Sequence, residues 1–148
     1  MVRPIGIAYL VGRVDHVLSR RIRDALAPYG LTTNQYTALS ALAAHEHLSN
    51  AQLAERSLVS PQAANEMVKT MEARGWIARE PDASHGRIVR IRVTAAGHAL
   101  LVDCDAAVAA IEQAMLAALP DAARDTLHDQ LRTMLGALRK LVDDPAHY

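Results

Sequence analysis

The sequence predicts a mainly α-helical protein with a small β component, that is, an α+β fold in which one hairpin interrupts a series of helices. Alanine and leucine dominate the 148 residues, aromatic residues make up only 3%, and phenylalanine is absent. This composition favours packed helices over a β-sandwich, which needs more aromatic and β-branched residues. Apolar residues recur at helical spacing through most of the chain, and the spacing changes to alternation after Gly75.

A long first helix is predicted over residues 4–29, and Gly30 ends it. Basic side chains near its end are favourable against the helix dipole. Its apolar side chains form one continuous stripe, made of Ile7, Leu10, Val11, Val14, Val17, Leu18 and Ile22. Because no element that follows is long enough to cover all of it, this stripe is either ordinary core or the contact surface for a second chain.

Two shorter helices follow, and both begin with the same local signal. Thr32 with Gln35, and Ser49 with Gln52, form capping boxes in which side chains satisfy free amides of the first turn. Apolar residues flank each box as a hydrophobic staple, Leu31 with Tyr36 and Leu48 with Leu53. The second of these helices is joined to the next one by a very short link.

A fourth helix is predicted within residues 58–76. Ser60 is a suitable N-cap, Pro61 suits the first helical position, and Gly75 suits the left-handed residue that ends a helix. One face is apolar, and the other carries short or amide-bearing side chains near its start. Such side chains can contact the edges of DNA bases, although a solvated helix face has the same pattern. The candidate contacts are Ser60, Gln62, Ala63, Asn65, Glu66 and Lys69.

A two-stranded hairpin is predicted directly after this helix. Residues 76–80 form one strand, 81–86 a turn-rich loop, and 87–93 a second strand with Val89, Ile91 and Val93 on one side. Two capped helices joined by a tight turn, with a hairpin behind them, make a winged helix-turn-helix. Arg87 and Arg90 on the hairpin are further candidate DNA contacts.

Two long helices complete the chain. Thr94 caps a helix that is predicted to reach about Leu119, and Pro120 ends it. The last helix, to about Val142, carries a seam that needs a partner helix, namely Leu127, Leu131, Met134, Leu138 and Leu141. The predicted organisation is a helical dimerisation domain of residues 1–30 and 94–148 around a winged helix-turn-helix DNA-binding domain of residues 31–93.

The charge distribution agrees with that division. The net charge is zero, but residues 56–92 hold seven Lys or Arg against four acids, and residues 103–148 hold four against eight. A basic middle beside an acidic C-terminal third suits a DNA-reading module that has its own assembly domain.

Other classes of function lack a sequence signal. The seven histidines have no cysteine or carboxylate cluster at zinc-like spacing, and no catalytic motif is present. We therefore expect no metal, no cofactor and no enzymatic activity. The single cysteine, Cys104, lies between Asp103 and Asp105, which disfavour a reactive thiolate. No apolar run approaches a membrane span and no signal peptide is apparent, so a cytoplasmic protein without a membrane partner is expected.

Four local motifs occur in a fixed order along the chain. They are L-T-x-x-Q-Y from Leu31, L-A-x-x-x-x-V-S-P from Leu53, M-E-x-x-G-W from Met71 and R-x-x-x-x-x-V-T-x-x-G from Arg87. Together with the order of elements, over about residues 5–142, they closely resemble the MarR family of bacterial transcriptional regulators. The resemblance implies a homodimeric repressor that binds a pseudo-palindromic operator in double-stranded DNA, with reader helices in major grooves and wings in minor grooves. It also implies that Arg87 enters a minor groove.

The resemblance further implies a small anionic aromatic effector, bound in a cleft beside the first helix. Polar residues that interrupt this helix are the candidates, joined by a tyrosine of the second helix: Tyr9, Arg13, His16, Arg20 and Tyr36. The alternative, which each of the first four residues taken singly favours slightly, is a role in interhelical salt bridges or at the dimer rim, and the alternative for Tyr36 is a place in the core. The sequence departs from the family at His85, where an Asp that supports the wing is usual.

A second class of function stays open at this point. A winged helix can serve only as a protein–protein interaction module, without an operator of its own. The side chains of Gln62, Asn65, Lys69 and Arg87 favour DNA, and retention on DNA resin with a steep dependence on salt would distinguish the two.

Overall fold

The computed structural model describes residues 5–45, 47–82, 84 and 89–143. In that part of the chain the helices are α1 (Ile7–Leu26), α2 (Thr33–Ala44), α3 (Asn50–Arg56), α4 (Pro61–Ala73), α5 (Ala95–Leu116) and α6 (Asp121–Asp143), and the strands are β1 (Ile77–Pro81) and β2 (Val89–Val93). The mainly helical fold with one hairpin is therefore confirmed. Contacts divide the chain into two compact units, Met1–Ile111 and Glu112–Tyr148, and the division falls within α5.

The first helix is shorter than the predicted span of residues 4–29. It ends at Leu26, and a single 3-10 turn, Ala27–Tyr29, leads to Gly30 at φ 74°. Pro28 explains the change, because it has no amide to continue the α-helical hydrogen bonds. Gly30 ends the segment as predicted, since residues with a side chain rarely adopt this left-handed backbone.

Both predicted capping boxes are present. The Thr32 amide donates to Gln35 Oε1 at 3.0 Å, and the Gln35 amide donates to Thr32 Oγ1 at 3.1 Å. Ser49 and Gln52 repeat the arrangement at 3.0 and 3.2 Å. Helices α2 and α3 thus begin at positions that their own first turns determine, before any tertiary contact is considered.

In the first unit, each of the helices α1 to α5 contributes at least one fully buried side chain to the core. The hairpin contributes its inward residues, and α5 contributes its first turns. The buried apolar side chains include Leu26, Leu39, Leu53, Val68, Met71, Ile77, Ile91, Val93, Leu101 and Cys104. Burial of this set fixes the helix-turn-helix and the hairpin as one packed body.

The hairpin is antiparallel, with Ile77 opposite Val93 and Pro81 opposite Val89. Thr94 joins it to α5. Its hydroxyl donates to the Gly75 carbonyl at 2.6 Å and accepts from the Gly97 amide at 3.1 Å, while its own amide donates to the Trp76 carbonyl at 3.0 Å. Thr94 therefore caps α5 as predicted and also holds the base of the hairpin against it.

Two helices present apolar side chains to solvent. On α1, Ile7, Leu10, Val11, Val14 and Val17 are 46–70% exposed. On α6, within the second unit, the exposed apolar residues are Leu131, Met134, Leu135, Leu138 and Leu141. Only the last turns of α1 enter the core, at Ile22 and Leu26. No described helix is both long and apolar enough to cross a lipid bilayer.

Candidate nucleic-acid interface

The exposed face of α4 is the candidate reader. Ser60 caps the helix by accepting from the Ala63 amide at 3.1 Å, with Pro61 at the first position. Ala64, Met67, Val68 and Met71 face the core, as predicted. The opposite face is exposed to solvent and carries all the candidate contacts, Ser60, Gln62, Ala63, Asn65, Glu66 and Lys69. One helix face thus brings the predicted residues together.

The polar groups on this face differ in how they are held. Gln62 and Asn65 make no side-chain hydrogen bond with the described part of the chain, so their amides are available to a ligand. Lys69 lies 3.3 Å from Glu66, and both side chains are mostly exposed. An ion pair in that setting contributes only about 0.2–1 kcal/mol, so Lys69 is easily released to another anion.

The turn before α4 contains a strained and exposed apolar residue. Leu58 adopts φ 56°, a left-handed conformation, and its side chain is 91% exposed. The neighbouring Val59 amide donates to the Ala54 carbonyl at 3.1 Å, which closes the turn between α3 and α4. Sequence reasoning did not single out Leu58, because backbone conformation at a turn is set by the helices that the turn connects.

Hydrogen bonds to the Asp82 side chain stabilise the hairpin. This buried carboxylate accepts from the Ser84 amide at 2.9 Å, from the Ser84 hydroxyl at 2.8 Å and from Arg90 Nη2 at 2.6 Å. The two Ser84 hydrogen bonds, with Arg90 beside them, lower the pKa of Asp82 to about 2. Arg90 is thus held by a carboxylate in the absence of DNA. His85 and Arg87, on which the wing-tip predictions rest, lie outside the described residues.

The other arginines of the hairpin are also paired with acids. Arg92 contacts Glu80 at 2.5 Å on the neighbouring strand, and Arg79 contacts Glu72 of α4 at 2.6 Å. Both pairs are at least partly exposed. In the described wing strands, the arginine side chains are therefore paired with carboxylates.

The candidate effector residues fall into three places. On α1, Arg13 Nη1 donates to the Tyr9 hydroxyl at 3.2 Å. One turn further, His16 and Arg20 line an open groove of about 340 Å³ together with Val17, Arg21 and Asp24. All of these lining residues belong to α1, so the groove is one wall of a site rather than an enclosed pocket.

Tyr36 lies elsewhere and does not line the groove. Its ring packs against the core, and its hydroxyl donates to Asp105 Oδ1 of α5 at 2.7 Å. Partial burial, reinforced by the hydrogen bond to the Asp105 carboxylate, raises the pKa of Tyr36 to about 12. Burial also raises the pKa of the Cys104 thiol, and Asp105 and Asp103 add to the effect. Among the residues that the structure describes, no group of three His, Cys, Asp or Glu is placed to hold a metal ion.

Comparison with known proteins gives consistent matches. The sequence pattern of the MarR family matches residues 29–88. The HTH-type transcriptional repressor Rv2887 of Mycobacterium tuberculosis is 38% identical over 116 residues, which are 78% of this chain and 82% of that protein. The crystal structure of Rv2887 with salicylic acid has a TM-score of 0.73 and 32% identity, covering 90% of this chain and 99% of that one. Its complex with DNA has a TM-score of 0.75 and 30% identity, covering 88% and 98%.

Proposed function

This chain belongs to the MarR family of transcription regulators, and we propose that it is a ligand-responsive repressor that binds a pseudo-palindromic operator as a homodimer. Family membership places it among regulators rather than enzymes. Its similarity to Rv2887, which has been crystallised with DNA, supports double-stranded DNA as its principal partner. Such a regulator acts in the cytoplasm, together with the DNA that it reads.

The exposed amide face of α4 is the observation that carries this proposal. Gln62 and Asn65 lie in the first turns of a capped helix, and their side chains are exposed and make no hydrogen bond to the described residues. An amide side chain can form two hydrogen bonds to the edge of adenine in the major groove. The remaining candidate contacts lie on the same exposed face, namely Ser60, Ala63, Glu66 and Lys69.

The homodimer is supported by the apolar side chains that α1 and α6 expose. Monomeric proteins rarely leave large contiguous apolar patches in water. Leu131, Leu138 and Leu141 on α6 are 45–60% exposed, and Val11, Val14 and Val17 on α1 are comparable. A second copy of the chain would remove these side chains from water and would also place two reader helices about one DNA turn, roughly 10 base pairs, apart.

An anionic aromatic acid is the proposed effector, with the α1 groove as one wall of its site. The crystal structure of Rv2887 with salicylic acid supports this class of compound. Arg20, Arg21 and His16 line the groove against one acid, Asp24, so the surroundings favour a carboxylate. Tyr9 and Arg13 lie nearer the helix start, and Tyr36 would act only if its hydroxyl left Asp105.

Selection of binding sites from random DNA duplexes is the test of the DNA proposal. A recovered pseudo-palindrome with half-sites roughly 10 base pairs apart is expected. Asn65→Ala or Gln62→Ala should relax the base preference and cost about 1–3 kcal/mol of binding free energy at the operator. Lys69→Ala should instead weaken all duplexes about equally. Failure to enrich any duplex would favour the protein–protein interaction module.

The wing proposal has its own matched pair of variants. From its place in the family motif, we propose that Arg87 enters an A·T-rich minor groove, where negative potential is concentrated. Arg87→Ala should then reduce operator affinity and the preference for A·T in the flanking sequence more than Arg92→Ala does. Equal losses with an unchanged flank preference would mean that the wing only neutralises phosphate.

Calorimetric titration with salicylate tests the effector proposal. Arg20→Gln removes a cation that lines the groove and should weaken salicylate binding. Arg23→Gln is the matched control, because Arg23 is an exposed arginine of the same helix, 3.8 Å from Asp24, that does not line the groove. Arg13→Ala separates the two ends of α1, since unchanged affinity would remove Arg13 from the site.

A further inference from the structure

Arg74 connects the end of the reader helix to the turn at Gly30, between α1 and α2. It is the residue that follows α4, and its guanidinium Nη1 donates to the Gly30 carbonyl at 3.0 Å. The same guanidinium lies over the ring of Trp76, with Cζ 5.0 Å from the ring centroid. A hydrogen bond from a charged donor and a cation–π contact thus meet in one side chain.

Gly30 leaves the space that this contact needs. A Cβ built at Gly30 would lie 2.9 Å from Arg74 Nη1, and the backbone there has φ 74°. Any other residue at position 30 would therefore push the guanidinium away and strain the turn. Because Nη1 is the far end of a flexible and exposed side chain, the guanidinium could move aside, and the larger cost of a side chain at position 30 is the left-handed backbone.

Arg74 lies too far along α4 to read bases together with the amide residues Gln62 and Asn65. From Asn65, the nearer of the two, to Arg74 the helix rises by about 14 Å, at roughly 1.5 Å per residue. A helix that enters a groove by its first turns keeps its last turn near the body of the protein. The contact to Gly30 is therefore placed to control how α4 is oriented.

We propose that Arg74 is a positioning residue that ties the C-terminal end of α4 to the Gly30 turn between α1 and α2 and so holds the reader helix at its DNA-binding angle. The tie itself is a property of the protein without DNA. Its effect on operator affinity rests on the proposed function. Measurements on the protein without DNA therefore test the tie, and a separate measurement of operator affinity tests its effect on DNA binding.

The first measurement uses the full chain without DNA. Arg74→Gln removes the charge and shortens the side chain. Arg79→Gln is the matched control, because the ion pair of Arg79 is with Glu72 of α4 and not with the Gly30 turn. Amide hydrogen exchange in Arg74→Gln should accelerate both in residues 26–31 and in residues 70–76. In Arg79→Gln it should accelerate only near α4. Changes confined to α4 in both variants would overturn the tie.

Trp76 supplies a spectroscopic signature of the same contact. It is the only tryptophan of the chain, so its fluorescence is unambiguous. The emission should change in Arg74→Gln, recover in part in Arg74→Lys, which retains a cation, and stay unchanged in Arg79→Gln. Unchanged emission in Arg74→Gln would show that the guanidinium does not rest on the ring.

The second measurement is operator affinity as a function of salt. Loss of the tie should weaken binding by up to about tenfold, because one hydrogen bond from a charged group sets the upper limit of the effect. The slope against salt concentration should stay unchanged. A direct phosphate contact would instead lower that slope by about 0.9, and unchanged affinity would deny any positioning effect. If the natural protein binds no selected duplex, the proposed function fails, and the exchange and fluorescence results still decide whether the tie exists.

Discussion

Replacing Gly97 by alanine should destabilise the fold. Gly97 lies in the first turn of α5, where a Cβ would be 2.7 Å from Val93 Cγ1 and 3.1 Å from the Trp76 carbonyl carbon, with the carbonyl oxygen closer still. Val93 can adjust its side chain, but the Trp76 carbonyl cannot move freely. It accepts from the Thr94 amide at 3.0 Å and leads directly into β1.

The size of the loss in stability depends on whether side chain or backbone must shift to make room for the new methyl group. Forcing a methyl group into a packed backbone contact costs about 1–3 kcal/mol, and the upper half of that range applies when backbone has to shift. Alanine is favoured over glycine within a helix by up to about 1 kcal/mol, which offsets part of the loss. We therefore expect a net decrease of about 1–2 kcal/mol in the free energy of unfolding.

Urea unfolding at one protein concentration measures this change. Gly12→Ala is the matched control, since Gly12 is inside α1 and a Cβ there meets nothing within 4 Å. The control should be unchanged or more stable by up to about 1 kcal/mol. A Gly97→Ala protein as stable as the natural one would refute the close approach of α5 to the base of the wing.

Three further predictions concern the turn, the wing and the dimer. Leu58→Asn should raise the free energy of unfolding by about 0.5–1 kcal/mol in the same urea assay, because Asn tolerates the left-handed backbone and the exposed leucine side chain buries no surface that would be lost. A decrease in the free energy of unfolding would mean that the Leu58 side chain has a packing partner. The pKa of Asp82 is lowered from 3.8 to about 2, so its contribution to the free energy of unfolding is present above pH 4 and is lost as the pH falls through 2. Asp82→Asn should therefore be less stable than the natural protein at neutral pH and equally stable below pH 2. A difference in stability that stays constant with pH would refute this. Leu131→Asp combined with Leu138→Asp should dissociate or unfold the protein, and a well-folded 16.0 kDa monomer of the natural sequence in sedimentation would contradict the dimer.

The local signals of the sequence were sufficient to predict most helix ends. Capping boxes at Thr32 and Ser49, the cap at Ser60 and the left-handed Gly75 depend on residues within one turn of each other. Short-range interactions of this kind can be predicted from the sequence, because the residues that form them are only a few positions apart. Errors at other ends were one to three residues: α6 ends at Asp143 instead of about Val142, and α5 ends at Leu116 instead of about Leu119.

Contacts between distant elements were not predicted. Asp82 meets Arg90 only because the hairpin register places them on the same part of the wing, whereas the sequence had suggested Arg90 only as a candidate DNA contact. Arg74 meets Gly30 across 44 residues, and Tyr36 meets Asp105 across 69. Such pairs depend on how helices pack, which periodicity does not specify. The effector residues Tyr9, Arg13, His16, Arg20 and Tyr36 stay a prediction.

The neutralised arginines of the wing have a consequence for how the protein finds its operator. Arg79, Arg90 and Arg92 each have an acidic partner before DNA arrives, so meeting a phosphate means exchanging one anion for another. Weak attachment to arbitrary DNA derives from the release of counterions by unpaired cations. We therefore expect each of these three arginines to add less to non-operator attachment than an unpaired arginine would. The effect should be largest for Arg90, whose carboxylate partner is buried, and smallest for Arg92, whose pair is exposed.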